Sequence, residues 1–217
     1  MSIVTVERTV LAKNDEIARQ NRSLFATHGI YVVNVVSSPG SGKTTLLERT
    51  IERLSPRLSM AVVEGDVQTD IDARRLERFR IPTAQIVTNG GCHLEANLVR
   101  DAIGRLPLAG VQLLIIENVG NLVCPSNYDL GEHEKIVVLS VTEGAEKPLK
   151  YPAMFQRASV LVINKIDLLP YVDCNVNVLR SNALSVNPSL TVFEVSCTKG
   201  DGVDSWCDWL LRKSARA

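Results

Sequence analysis

Neither sign of charge predominates in this sequence: 24 Lys and Arg residues face 24 Asp and Glu, a formal net charge of zero. Proteins that grip nucleic acid by its phosphates carry a basic surplus, so no nucleic-acid partner is expected. Long apolar runs are also missing. None approaches the roughly 18–20 residues that cross a bilayer. The opening Met1-Ser2-Ile3-Val4-Thr5-Val6-Glu7 lacks the basic start and apolar stretch of a secretory signal. No membrane association is expected. Cysteine is scarce, with five residues at irregular spacings, and an odd, irregular set argues against a disulfide framework. A reducing, cytoplasmic setting is the expectation, where a thiolate is available for metal or catalysis. Internal repeats, low-complexity tracts and linkers rich in Pro, Gly or Ser are absent too, so nothing divides the chain into lobes. What is present, 45% hydrophobic and 22% charged residues, suits one domain large enough to enclose an apolar core without covalent staples.

Periodicity predicts an amphipathic helix over residues 10–25, where Val10, Ile17 and Leu24 recur at heptad spacing beside Leu11, Ala18 and Phe25. It is read as an extension, residues 1–28, packed on a main domain of residues 29–217. Downstream, short β-rich runs at 30–36, 59–64, 84–87, 112–117, 135–141, 160–164 and 191–195 alternate with helical stretches at 44–54, 71–79, 93–104 and 172–185. Most of the runs are continuously apolar, as strands covered on both faces must be. The pattern predicts an α/β fold, a mainly parallel sheet flanked by helices.

The strongest chemical signal is Ser37-Ser38-Pro39-Gly40-Ser41-Gly42-Lys43-Thr44-Thr45, between a predicted strand and helix. A phosphate chain needs inward-pointing backbone N–H groups from a loop that side chains do not obstruct, and Gly40 and Gly42 permit one. The loop opens onto a helix N-terminus, whose dipole favours anions. Lys43 is placed to reach the β- and γ-phosphates and the Thr44 hydroxyl to ligand Mg²⁺. Ser37 stands where the general pattern has glycine. The base is indicated by Asn164-Lys165-Ile166-Asp167, after another strand. An aspartate there accepts both N1–H and the exocyclic amine of guanine, a pair of donors that adenine lacks. Ser196-Cys197-Thr198-Lys199-Gly200 resembles the loop whose backbone supports the guanine carbonyl, with Cys197 in the usual alanine place. Asp66 and Glu117 each close a strand run, where open α/β sheets bind ligands, and are candidates for the magnesium shell. Asp70 and Asp72, at a helix start, read as caps. Glu117-Asn118-Val119-Gly120 resembles the Asp-x-x-Gly switch of GTPases, but Asn121 rather than glutamine follows. Slow intrinsic hydrolysis, accelerated by dimerisation or a partner, is the expectation.

A second constellation is Cys92-His93 and Cys124-Pro125, each following a predicted strand that ends at the edge bearing the phosphate loop. Two thiolates and an imidazole suit Zn²⁺ or Ni²⁺, and Cu⁺ less specifically. Three ligands leave one position open, which suits transfer better than permanent structure. The spacing lacks a paired Cys-x-x-Cys, so buried, inert cysteines are the competing reading. Cys174, Cys197 and Cys207 are read as structural, His28 as a helix-end residue, and His133 as an exposed loop residue or an auxiliary ligand.

Taken together, these residues resemble the hydrogenase nickel-incorporation GTPases, the HypB family, over nearly the whole chain. The likeness includes Asn14-Asp15-Glu16-Ile17-Ala18 with Asn21-Arg22, the phosphate loop through Glu48 with its Ser37, Glu64-Gly65-Asp66, Cys92-His93-Leu94, the run Glu117 to Pro125, and Asn164-Lys165-Ile166-Asp167. The resemblance implies a GTP-dependent homodimer, cycling between GTP and GDP, that helps insert nickel into the [NiFe]-hydrogenase large-subunit precursor with a HypA-like zinc chaperone. It implies that Cys92, His93 and Cys124 bind nickel or zinc near the dimer interface. Many members also carry an N-terminal Cys-rich motif or a His-rich tract. This sequence has neither, which leaves the Cys92 site as the expected nickel position. The alternatives are a related GTPase serving urease or a cobalamin enzyme, and a P-loop kinase for a small molecule. Urease GTPases present Cys-Pro-His, whereas Ser126 follows Cys124-Pro125 here; the guanine tetrapeptide argues against the kinase.

Overall fold

The computed structural model describes residues 6–68 and 75–215. Among them seven strands form: β1 (Tyr31–Ser37), β2 (Met60–Asp66), β3 (Thr83–Val87), β4 (Leu113–Gly120), β5 (Glu134–Ser140), β6 (Val160–Asn164) and β7 (Thr191–Glu194). All pair in parallel, in the order β3-β2-β4-β1-β5-β6-β7. The helices are α1 (Val6–His28), α2 (Lys43–Leu54), α3 (Ala96–Ile103), α4 (Lys147–Lys150), α5 (Pro152–Arg157), α6 (Val176–Val186) and α7 (Val203–Ser214).

Every residue of β1 is buried, because both faces of the sheet are covered and successive side chains point to opposite layers. Val33 and Val35 pack beneath Leu46, Leu47 and Ile51 of α2 and Trp206 and Leu210 of α7. Val32 joins Phe25 of α1 and Val99 and Ile103 of α3 on the other face. Farther along that sheet, Val137, Leu139 and Leu161 meet Met154, Phe155, Leu179 and Ala183. No helix among the described residues is long and apolar enough to cross a membrane.

The expected strands all form, 160–164 with the predicted bounds and the others with at least one end shifted by one to three residues. The helices differ more. The stretch predicted at 93–104 starts only at Ala96, so Cys92 and His93 stay in a loop. The short helices α4 and α5 and the terminal α7 lie outside the predicted set; α7 is capped by Gly202 and anchored by Trp206, whose indole donates to Thr50 Oγ1 at 2.9 Å. Of the predicted helix 71–79, residues 71–74 lie outside the described residues, as do Asp70 and Asp72, while 75–77 are helical.

The first helix is longer than periodicity suggested, and its buried seam keeps Ala18 and Phe25 of the expected stripe but adds two amides in place of Val10. Val10 is 40% exposed, while Asn14, Ala18, Asn21 and Phe25 face inward. Buried amides are tolerated because each is satisfied. Asn14 accepts from Ala96 N and donates to Asp129 O, both at 2.8 Å. Asn21 donates to Ala96 O at 2.9 Å and Leu130 O at 3.1 Å. Arg22 adds a fork onto Asp129 at 2.9 and 3.0 Å. Gly131 makes this docking possible: its φ is +92°, and a Cβ there would lie 2.8 Å from both Ala18 O and Asn21 Cβ. Gly131→Ala should therefore destabilise the fold by about 2–5 kcal/mol, combining a strained backbone with overpacking against α1. Denaturant unfolding of the two proteins measures this.

Candidate nucleotide cleft and metal cluster

Between β1 and α2 the chain turns through the phosphate loop, with Gly40 at φ 76° and Gly42 at φ 92°. Both values lie in the left-handed region that favours glycine. A Cβ at Gly42 would also sit 2.5 Å from Asn164 Nδ2, so conformation and space both require glycine. A cleft of about 520 Å³ opens above this loop, walled by Gly40, Gly42 to Thr45, the ends of β2 and β4, and Lys165. Lys43 and Thr44 begin α2, placing their amides at a helix N-terminus suited to anions.

Thr44 Oγ1 donates to Glu117 Oε1 at 2.8 Å, and Lys43 Nζ lies 4.0 Å from the same oxygen. Glu64 is the register partner of Glu117 on the adjacent strand, and both are almost fully buried. Asp66 ends β2 in the cleft wall and accepts from Gln68 N at 2.8 Å. Carboxylates and a hydroxyl converging beside a phosphate loop are the oxygen donors that a hard cation takes, and they fit Mg²⁺. Two residues of this wall had no role assigned from the sequence: Glu64, quoted only within the family likeness, and Arg75. A charged residue inside the apolar run of β2 was the available signal for Glu64. Arg75 pairs with Glu48 at 2.7 Å and donates to Thr45 Oγ1 at 3.4 Å; no sequence pattern marked it. Ser41 is turned away from the cleft, donating to Ser38 O at 2.8 Å and Glu143 Oε1 at 2.6 Å.

The candidate base site is fastened to the phosphate loop by Asn164, which donates to Ser41 O at 2.9 Å and accepts from Lys165 N at 2.7 Å and Cys197 N at 3.3 Å. Lys165 lies across the loop, donating to Gly40 O at 2.7 Å. Asp167 Oδ1 accepts from Ser196 Oγ at 2.6 Å. The Cys197 amide, expected at a guanine carbonyl, donates to Asn164 Oδ1. Its thiol is buried, and burial pushes it up to about 11; the Cys207 thiol is pushed to about 12 for the same reason. Burial also raises the Cys174 thiol.

Cys92 and His93 stand in the loop between β3 and α3, and Cys124 opens a single 3-10 turn after β4. Their ligand atoms all lie within 4.8 Å of one another. Cys92 Sγ is 3.5 Å from His93 Nδ1, and the other ring nitrogen is 3.8 Å from Glu95 Oε1. Tyr128 packs against the imidazole with ring centroids 3.9 Å apart. The Cys92 thiol is held above its ordinary range, first by its hydrogen bond to Cys124 and then by burial. Burial lowers the His93 pKa, against the pull of Glu95, favouring the neutral imidazole that ligates metal. Soft sulfur and nitrogen donors fit Ni²⁺ or Zn²⁺. A raised thiol must lose its proton to bind, so metal affinity should climb with pH through and above neutrality, with protons released on binding. Metal titrations at several pH values, with the proton count from calorimetry in different buffers, test this. His133 is a surface residue whose Nδ1 accepts from Val32 N at 3.0 Å, and it stacks on Tyr31, remote from the cluster's ligands in the bonding pattern. His28 lies in the last turn of α1.

A parallel sheet with a phosphate loop, a carboxylate-lined cleft and a polar base loop defines a P-loop nucleotide-binding domain. The family model for the CobW/HypB/UreG nucleotide-binding domain matches residues 31–194. The hydrogenase maturation factor HypB of Escherichia coli (strain K12) is 50% identical over 208 residues, 96% of this chain and 72% of that protein. The hydrogenase/urease maturation factor HypB of Helicobacter pylori is 39% identical over 214 residues, 97% of this chain and 88% of that one. Among solved structures, HypB from Helicobacter pylori in complex with nickel superposes with a TM-score of 0.89 at 39% identity, over 94% of this chain and 96% of that one. HypB from Archaeoglobus fulgidus gives 0.88 at 37% identity, over 94% and 99%. The chain belongs to the HypB family of hydrogenase maturation factors.

Proposed function

We propose that this chain is a GTP-hydrolysing metallochaperone that assists nickel insertion into [NiFe]-hydrogenase, with Cys92, His93 and Cys124 as the cargo site. One observation carries the proposal: β4 ends in the nucleotide cleft at Glu117 to Gly120 and runs on directly to Cys124. The segment nearest the terminal phosphate thus bears a metal ligand. The two regions also touch at Gly120, where a Cβ would lie 3.1–3.2 Å from Pro39 of the phosphate loop.

Lys43 and the loop amides hold the phosphates, while Asp167 and Lys165 select guanine. Thr44, Glu117 and Asp66 hold Mg²⁺, which supplies charge neutralisation at the phosphates. GTP favours one arrangement of the Glu117–Cys124 segment and GDP another, and the nucleotide shifts this balance only by its differential affinity for the two. Three protein ligands leave a position through which a HypA-like zinc chaperone or the hydrogenase large-subunit precursor exchanges the ion. Val67, Val87 and Val123, 39%, 42% and 58% exposed, adjoin Asp66, the end of β3 and Cys124. They offer an apolar rim to a second copy of the chain, in keeping with a GTP-dependent homodimer.

The decisive experiment titrates Ni²⁺ into wild type and Cys92→Ala, each with GDP and with a non-hydrolysable GTP analogue. Cys92→Ala is expected to weaken binding at least about 100-fold, through loss of one of three ligands, and the wild-type affinity to differ between nucleotides. Equal affinities and equal release rates with both nucleotides would end the coupled-delivery reading.

A further inference from the structure

Beside the metal cluster runs a continuous buried polar chain whose members belong neither to the lining of the nucleotide cleft nor to the three candidate ligands. It begins at Leu94 N, the amide following His93, which donates to Asn118 Oδ1 at 3.3 Å. Asn118 Nδ2 donates to Asn34 Oδ1 at 3.2 Å, and Asn34 Nδ2 donates to Glu132 Oε1 at 3.1 Å. The same carboxylate oxygen lies 3.5 Å from Lys135 Nζ. Lys135 donates to Pro125 O at 3.1 Å and Tyr128 O at 2.9 Å. The chain therefore starts one residue after His93, ends one residue after Cys124, and passes through the neighbour of Glu117.

Each member is expensive to bury. Asn34 and Asn118 are 0% and 1% exposed, and the side chains of Glu132 and Lys135 are 7% and 8% exposed. An ammonium on a core strand suffers a desolvation cost, and this one is directed at carbonyls of the short turn that carries Cys124. Pro125 O also accepts from Tyr128 N at 3.4 Å within the turn, and Lys135 adds a donor to that carbonyl and another to Tyr128 O, tying both ends of the turn to β5. Asn118 is equally specific: it must accept from Leu94 N and donate to Asn34 at once, which an apolar side chain cannot do without stranding both.

We propose that Asn118 and Lys135 are positioning residues: through this chain they set the spacing of the Cys92–His93 and Cys124 ligands, and Asn118 passes to that spacing the state of the adjoining Glu117. The proposal rests on the metal-delivery reading above. Outer partners of metal ligands typically govern affinity by about 10–100-fold, and coupling between two sites is reciprocal in binding free energy.

The test uses the full chain and Ni²⁺ alone, followed by the thiolate-to-nickel charge-transfer band, in wild type, Asn118→Ala and Lys135→Met. Each is measured with GDP and with a non-hydrolysable GTP analogue, beside GDP affinity and thermal unfolding. Both variants should remain folded and bind GDP, yet bind Ni²⁺ about 10–100-fold more weakly with a shifted band. In Asn118→Ala the affinity ratio between the two nucleotide states should fall towards one. Should Lys135→Met not fold, Asn118→Ala, which removes no charge, decides alone. A folded Asn118→Ala with wild-type affinity, band and ratio overturns the proposal. If wild type binds no Ni²⁺, or Cys92→Ala binds as wild type does, the metal site falls and the proposal with it. That failure is told apart because it appears without either positioning variant.

Discussion

Lys43→Ala should lower GTP turnover by at least about 100-fold, the scale of losing one preorganised charge donor, while leaving Ni²⁺ binding at Cys92 intact. The cleft explains the size of the effect. Glu64, Asp66 and Glu117 line it, and Lys43 lies 4.0 Å from Glu117 with only 11% of its side chain exposed. A triphosphate entering without that ammonium would meet carboxylates in a poorly solvated site, where charge repulsion is weakly screened. Phosphate release at saturating Mg²⁺, measured beside a metal titration, is the check. Turnover close to wild type would remove Lys43 from the chemistry. GTP consumption without phosphate release would instead revive a small-molecule kinase.

Asp167→Asn should exchange base preference, shifting the ratio of guanine to xanthine nucleotide affinity by about 10⁴-fold. Guanine presents N1–H and an exocyclic amine, and a carboxylate accepts both. The asparagine amide offers a donor where the amine needs an acceptor, but it matches the carbonyl that xanthine carries at that carbon. Ser196 Oγ already donates to Asp167 Oδ1 at 2.6 Å, so the carboxylate is held in place before any base arrives. Competition between GDP and xanthosine diphosphate gives the ratio directly. An unchanged ratio would mean that Asp167 does not read the base, and the guanine assignment would go with it.

The nucleotide site was largely legible because its chemistry is local. The phosphate loop packs its glycines, lysine and threonine into one short stretch, and each role follows from backbone geometry at a strand-to-helix turn. The metal cluster was legible only as a coincidence of strand ends: nothing in the spacing of Cys92, His93 and Cys124 requires their donors to lie within 4.8 Å of one another. Ser41 shows what a motif leaves out: its place in the phosphate loop is local, but the side chain's partner Glu143 lies about a hundred residues away.

The first helix shows how far periodicity reaches. Apolar counting finds a stripe through Val10, Ile17 and Leu24 beside Leu11, Ala18 and Phe25; Ala18 and Phe25 are buried, yet the seam also includes Asn14 and Asn21. An amide reads as a surface residue until its partners are known. These partners, Ala96, Asp129 and Leu130, lie far along the chain.

Sequence alone determined the alternation of strands and helices, the phosphate loop and the Asn-Lys-Ile-Asp tetrapeptide after a strand, because each depends on neighbouring residues and a fixed local geometry. Tertiary structure alone decided that the thiols and imidazole converge, that Glu64 stands beside Glu117, and that Lys135 is buried beneath the Cys124 turn. Those facts depend on strand order. In a parallel sheet, strands distant in sequence become neighbours through crossovers, and only their register brings side chains from separate segments within bonding distance.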